Sequence, residues 1–273
     1  MTATSIGLAF RWLLAAGGIA LAVGCAAPSN HRDWAQDLAV LPYAELDGSR
    51  VTVHNVRNCT YLTENEYVVN CYDKSFPLEQ LQSVDFLVVP FEGMSSMLAH
   101  TMLSFGLSDG SRLAVSVEIR RERNEEYQLI SGFLNQYELM YVLGDERDLV
   151  KLRTEYRKSE VFLYHAKATP EQVRELFVDV VRRVNKLAVE PEFYNALTNN
   201  CTTNIASHIN HLAPNRVPYG LGVLLPGYSD RLAYDLGLIE SYGTFEETRR
   251  RAHINAIATL HRDDPDFSAK IRR

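Results

Sequence analysis

The sequence predicts an α+β domain whose mainly antiparallel sheet packs on helices that come late in the chain. Three observations carry this. Alternating and continuous apolar runs of strand length fill the stretch up to residue 165. Two of those runs meet through an Asp-Gly turn, a hairpin signal. After residue 169 the periodicity changes to 3.6, behind helix-starting residues.

Taken in order, residues 1–24 are expected to be a leader. Arg11 supplies the positive charge, and Trp12 to Val23 is an apolar run too short to span a membrane. The run ends in Leu21-Ala22-Val23-Gly24-Cys25, which resembles a bacterial lipoprotein signal with Cys25 as the lipidated residue. Ordinary secretion is the other reading. Ala26 after the cysteine fits sorting to the outer membrane. Residues 25–38 then form the lipid anchor and linker, and 39–273 a single domain of about 235 residues, enough for a substantial core. No later segment reaches 18 consecutive apolar residues.

Val51 to Val56 alternates as a half-buried strand does. Cys59 and Cys71 flank a short hairpin turning at Thr63-Glu64-Asn65-Glu66, and in an oxidising compartment they read as a structural disulfide. Val84 to Phe91 is a mostly apolar run ending near Pro90. Met97 to Leu107, the turn Ser108-Asp109-Gly110-Ser111 and Leu113 to Arg120 form the hairpin, and Tyr137 to Leu143 and Val161 to His165 add strands. Thr169-Pro170-Glu171-Gln172 opens a helix with a capping box, running to about Ala188. A second helix spans Cys201 to Leu212 and stops before Pro214. Pro218 to Tyr228 reads as a loop or lid, and a last helix is expected over Glu246 to His261.

The chain carries 28 basic and 34 acidic residues, a net charge of −6, and the two signs are interspersed, as in Arg120-Arg121-Glu122-Arg123. That pattern argues against nucleic-acid binding through a basic face.

The chemistry points to Cys201. With Cys25 lipidated and Cys59 paired to Cys71, it is the cysteine left over, at the first turn of a helix whose unpaired N–H groups favour a thiolate. A cysteine nucleophile needs a base, and His100 at the start of a strand is the best placed. Glu118 on the partner strand either orients His100 or pairs with an arginine; both readings stand. Asn200 and Thr202, beside the thiol, are candidates to bind substrate, Asn200 also as a helix cap or oxyanion donor. Arg147 and Arg153 lie in the charge-dense segment Asp145 to Arg153, read as a solvated loop with a weaker alternative of binding an anionic head group. His208 and His211 have metal-ligand spacing, but no third ligand stands out, so neither a metal nor another cofactor is expected.

A base that precedes its nucleophile in the chain resembles the circularly permuted papain-like (NlpC-type) enzymes, in which an Asn-Cys pair also starts the nucleophile helix. More closely, the chain resembles the Lnb N-terminal periplasmic domain family. The carrying segments are Asn55 to Asn58, Ala99-His100-Thr101 through Phe105, Ser116 to Arg120, Asp145 to Asp148 with Leu152-Arg153-Thr154, and Phe193-Tyr194-Asn195 through Thr203. The resemblance implies lipoprotein N-acyl transfer with Cys201 and His100 as the reacting pair, and a phospholipid or lipoprotein substrate. In that family the domain is joined to a membrane region; either this chain's own lipid anchor fills that role or its activity differs from the family's. The expected activity is thus a periplasmic thiol acyltransferase or hydrolase. Its alternatives are a peptidoglycan peptidase or amidase and a non-catalytic lipid- or partner-binding lipoprotein.

Overall fold

The computed structural model describes residues 27–91, 93, 95–125 and 136–272. The leader and the lipidation call at Cys25 lie outside the described residues. Among those described, the strands are β1 (Tyr43–Asp47), β2 (Arg50–Arg57), β3 (Thr60–Tyr61), β4 (Tyr67–Val68), β5 (Cys71–Pro77), β6 (Leu81–Pro90), β7 (Ala99–Leu107), β8 (Arg112–Arg120), β9 (Glu138–Asp145) and β10 (Phe162–His165). The main sheet runs β1-β2-β9-β8-β7-β6-β10, with β5 also on β2 and β3-β4 a separate ribbon. Its pairing is antiparallel apart from one parallel rung, Arg57 to Gly144.

The helices are α1 (Glu146–Lys151), α2 (Pro170–Val189), α3 (Cys201–Leu212), α4 (Leu221–Leu224), α5 (Ser229–Asp235), α6 (Phe245–Ala252), α7 (Asn255–Leu260) and α8 (Phe267–Lys270). On one face of the sheet α2 and α3 bury Val84, Phe86, Leu103 and Phe105 against Phe177, Val180 and Ile205. On the other, α1, α7 and α8 cover Leu87, Val89, Met102 and Met140 with Leu149, Ala258 and Phe267. Cover on both sides explains why β6 reads as a continuous apolar run. β2 lies beyond it, so Val51 and Val53 point inward while Thr52 and His54 stay partly exposed.

Four expectations need correction. The charge-dense segment after β9 is not a solvated loop. Asp145 caps α1 by accepting the Arg147 N–H, Leu149 and Val150 are buried, and a π-helical turn (Leu152–Tyr156) follows. The last helix is two, α6 and α7, because β10 captures the intervening backbone: His253 bridges Phe162, and the Ile254 N–H donates to the Val161 carbonyl at 3.0 Å. Pro218 to Tyr228 holds α4 and a 3-10 turn (Pro226–Tyr228), and it is clamped: the Gly227 N–H donates to Met97 O at 2.9 Å. A Cβ at Gly227 would stand 2.0 Å from the Ser96 carbonyl oxygen, so only glycine fits there.

The fourth concerns Cys59 and Cys71, which are free thiols and form no disulfide. Register separates them. Cys71 pairs with Arg57, and the Asn58 N–H reaches Asn70 O at 2.8 Å, so Cys59 has moved past its expected partner. It is buried with Tyr61 and Leu152 and donates its N–H to Asp148 at 2.7 Å, while Cys71 is exposed.

Candidate active site

β7 and β8 separate where the site forms. Their pairing ends at Met102–Ser116, yet β7 stays paired to β6 as far as Ala99, and β8 to β9 as far as Arg120. The start of α3 packs against both diverging strands. Asn200 begins that helix with a reciprocal cap: its Oδ1 accepts the Thr203 N–H at 2.9 Å, and the Thr203 hydroxyl accepts the Asn200 N–H at 2.8 Å. The opening lets a thiol on the α2–α3 side of the sheet meet a histidine carried by β7.

Cys201 is buried, 3 % exposed, and interacts with His100 and with the hydroxyl and N–H of Thr101. Its Sγ lies 3.9 Å from Thr202 Oγ1, which bonds Thr101 Oγ1 at 3.1 Å. His100 Nε2 is 2.6 Å from Ser116 Oγ; that hydroxyl donates to Glu118 Oε1 at 2.5 Å, and Arg153 Nη2 donates to the same oxygen at 2.9 Å. With Nε2 so engaged, Nδ1 is the ring atom left for the sulfur. Glu118 is therefore linked to His100 through Ser116 and paired to Arg153 at the same oxygen.

Burial opposes every charge in this group, and the partners outweigh it. Burial pushes the Cys201 thiol up, but the hydrogen bond and charge of His100 bring it from 9.0 down to about 7. Burial pulls His100 down, yet Glu118 and Cys201 lift it from 6.5 to about 9. Glu118 is likewise opposed by burial and is held well below its usual range, mainly by His100 and Arg153. Between about pH 7 and 9 the three form a thiolate, an imidazolium and a carboxylate.

Two cavities flank the reactive pair. An apolar one of about 280 Å³ is lined by Thr202, Ile205, Ala206, Leu103, Val223 and Leu232, among others. One of about 350 Å³ with a mixed wall is lined by His100, Glu118, Arg121, Arg153, Phe91 and Ile119, among others.

The expected substrate-binding residues divide. Thr202 is at the site. Arg153 is too, its side chain 4 % exposed and donating to Glu118 and the Leu149 carbonyl. Asn200 caps the helix, its Oδ1 accepting the Thr203 N–H and its Nδ2 donating to Ala196 O at 2.7 Å. Arg147 is elsewhere, donating to the carbonyls of Asp264 and Pro265. Sequence reasoning missed Ser116 and Thr101 as partners; a serine two residues from Glu118 on one strand face was the available signal. It also found no third ligand for His208 and His211, whereas the fold brings Asp179 to both.

The model of the Lnb N-terminal periplasmic domain family matches residues 67–226, more than half of the chain and including His100, Glu118, Arg153 and Cys201. No curated protein and no solved structure matches the chain. No helix among the described residues is long and apolar enough to cross a membrane.

Proposed function

As the chain belongs to the Lnb N-terminal periplasmic domain family, we propose that it is a cysteine-dependent acyltransferase or hydrolase of the periplasm. The observation that carries this reading is the Cys201–His100 pair, with its thiol brought down to about 7 and its histidine tied through Ser116 to Glu118. In the first step the Cys201 sulfur attacks an acyl ester carbonyl. The C–O ester bond breaks, and His100 gives its proton to the departing alkoxide. In the second, an amine or water attacks the thioester, His100 takes its proton, and the C–S bond breaks to restore the thiolate. The Cys201 and Thr202 N–H groups at the start of α3, the Thr203 N–H being taken by the Asn200 cap, are suited to the oxyanion of each tetrahedral intermediate.

The cavity beside Thr202 favours a fatty acyl group over a peptide, because aliphatic side chains make up most of its wall and polar ones such as Gln172 and Glu175 are the minority. The charged groups in the cleft on the His100 side, Glu64, Arg121 and Arg157 among them, support a second reading, a peptidase or amidase acting on charged wall peptides. With the base on β7 and the nucleophile on α3, we read the fold as circularly permuted papain-like. Anchoring to the outer membrane through a lipid on Cys25, with a phospholipid or lipoprotein as substrate, belongs to the same proposal.

The test is intact-mass and peptide mass spectrometry of the purified protein after incubation with phospholipid vesicles. An acyl mass on Cys201, absent from Cys201→Ala and accumulated when no amine is supplied, is expected. Release of a wall-peptide fragment with no acyl adduct would transfer the assignment to the peptidase reading.

A further inference from the structure

Away from the thiol, α2 and α3 bring together a second polar cluster. Asp179 Oδ2 lies 2.6 Å from His208 Nδ1 and 3.2 Å from His211 Nδ1. All three donor atoms fall within 4.8 Å of one another. The histidines sit one turn apart on α3 and the aspartate faces them from α2.

Hydrogen-bond accounting fixes what these atoms face. Asn204 Nδ2 donates to Asn199 Oδ1 at 2.9 Å and to Asn200 O at 2.8 Å, so the amide orientation is set and its Oδ1 is the acceptor. The Tyr141 hydroxyl gives its one hydrogen to that oxygen, at 3.0 Å. Toward His208 Nε2, 2.8 Å away, the phenol oxygen is therefore an acceptor, and Nε2 carries the ring hydrogen. A ring whose Nε2 faces the phenol oxygen turns its Nδ1 toward the Asp179 carboxylate, with a second histidine nitrogen alongside. Two imidazole nitrogens and a carboxylate oxygen that converge within 4.8 Å form a ligand set for one cation.

We propose that Asp179, His208 and His211 form a binding site for a divalent transition metal, zinc being the best match. Two imidazoles and one carboxylate suit zinc and its neighbours, whereas calcium and magnesium take oxygen ligands. The Nε2–H to Tyr141 bond supplies the outer partner that a metal-bound histidine ordinarily has. Three cationic side chains line the same cavity: Arg182, Arg183 and Lys186. Arg183 is held by both Glu192 oxygens, at 2.6 and 2.7 Å, Lys186 lies 3.8 Å from Glu190, and Arg182 is exposed. Their repulsion is largely offset, and a fourth position toward this rim suits water or an anion.

His208 follows Cys201 by two helical turns, about 10 Å along the axis, too far for the metal to act on the thiol. Its role is to pin α3 to α2. Asn204 joins the cluster to the Asn200 cap, so the metal steadies the helix start that presents Cys201.

The test uses the full chain after chelator dialysis. Zinc titration with a competing indicator should give one site per chain, a rise in melting temperature, and with cobalt the visible bands of a tetrahedral complex. His211→Ala, at a side chain 64 % exposed, should fold normally yet bind at least about tenfold more weakly. Asp179→Asn should do the same. Equal zinc affinity in wild type and His211→Ala, or no tetrahedral cobalt spectrum, would overturn the proposal and leave a proton shared by His208 and Asp179. Cys201 alkylation is read separately, so the outcome is independent of the acyl-transfer reading.

Discussion

Ser116 Oγ stands between His100 and Glu118, 2.6 Å from Nε2 of the one and 2.5 Å from Oε1 of the other, while the direct His100–Glu118 separation is 3.4 Å. The hydroxyl is thus the main connection between base and carboxylate. Ser116→Ala should leave the protein folded and lower acyl-transfer kcat/KM by roughly 10–100-fold, the worth of one hydrogen bond to a charged group. Ser116→Thr, which restores a hydroxyl, should recover part of the loss. An unchanged rate in the alanine variant would remove Ser116 from the mechanism.

The pH dependence follows from two opposite shifts. His100 is raised, so its stabilising contribution is complete below 6.5 and is lost as pH rises through about 9. Cys201 is lowered, so its contribution is complete above 9.0 and is lost as pH falls through about 7. Iodoacetamide alkylation of Cys201, which needs only the thiolate, should climb through pH 7 and stay high. Acyl transfer also needs the imidazolium as acid, so its rate should peak near pH 8 and decline through 9. Stopped-flow alkylation and steady-state profiles across pH 5 to 10 check both limbs.

Arg153 and Arg147, alike in the sequence, should behave differently. Arg153→Met removes one of the two cations on Glu118, leaving the His100 imidazolium, and should cost about 2–3 kcal/mol in urea unfolding, together with a weaker hold on His100. Arg147→Ala releases only the Asp264 and Pro265 carbonyls and should leave Cys201 alkylation as in wild type.

Filling the apolar cavity should select against long chains. Ala206 lines it from α3, and Ala206→Leu should depress turnover of a palmitoyl ester well below that of a butyryl ester. The added bulk costs about 1–3 kcal/mol of stability. Equal loss for both esters would place the acyl chain elsewhere.

The unbridged cysteines give a labelling order. Burial beside Asp148 pushes the Cys59 thiol up to about 12, whereas Cys71 is exposed and Cys201 is brought down to about 7. Limited alkylation of the native protein, read by peptide mass spectrometry, should modify Cys201 and Cys71 well before Cys59.

The strands and helices that position the site were legible because local chemistry specifies them. The Asp109-Gly110 turn, the Thr169 capping box and the Asn200-Cys201 helix start are each written in adjacent residues, and the structure places all three as expected. Helix periodicity likewise named the buried face of α2, from Val173 to Leu187. By itself the sequence also picked out Cys201, His100 and Glu118, since a helix-start thiol, a strand histidine and a carboxylate in an apolar strand each call for a partner.

Only the tertiary structure decided how those partners meet. The parting of β7 from β8 at Met102–Ser116 is a property of register between distant segments. It brings Thr101 to the sulfur and places Ser116 between base and acid. The same dependence on long-range pairing kept Cys59 from Cys71, sent Arg147 to the C-terminal segment, and carried Asp179 to histidines 29 and 32 residues away. Local patterning sets which side chains seek partners; packing of the layers sets which partners come within reach.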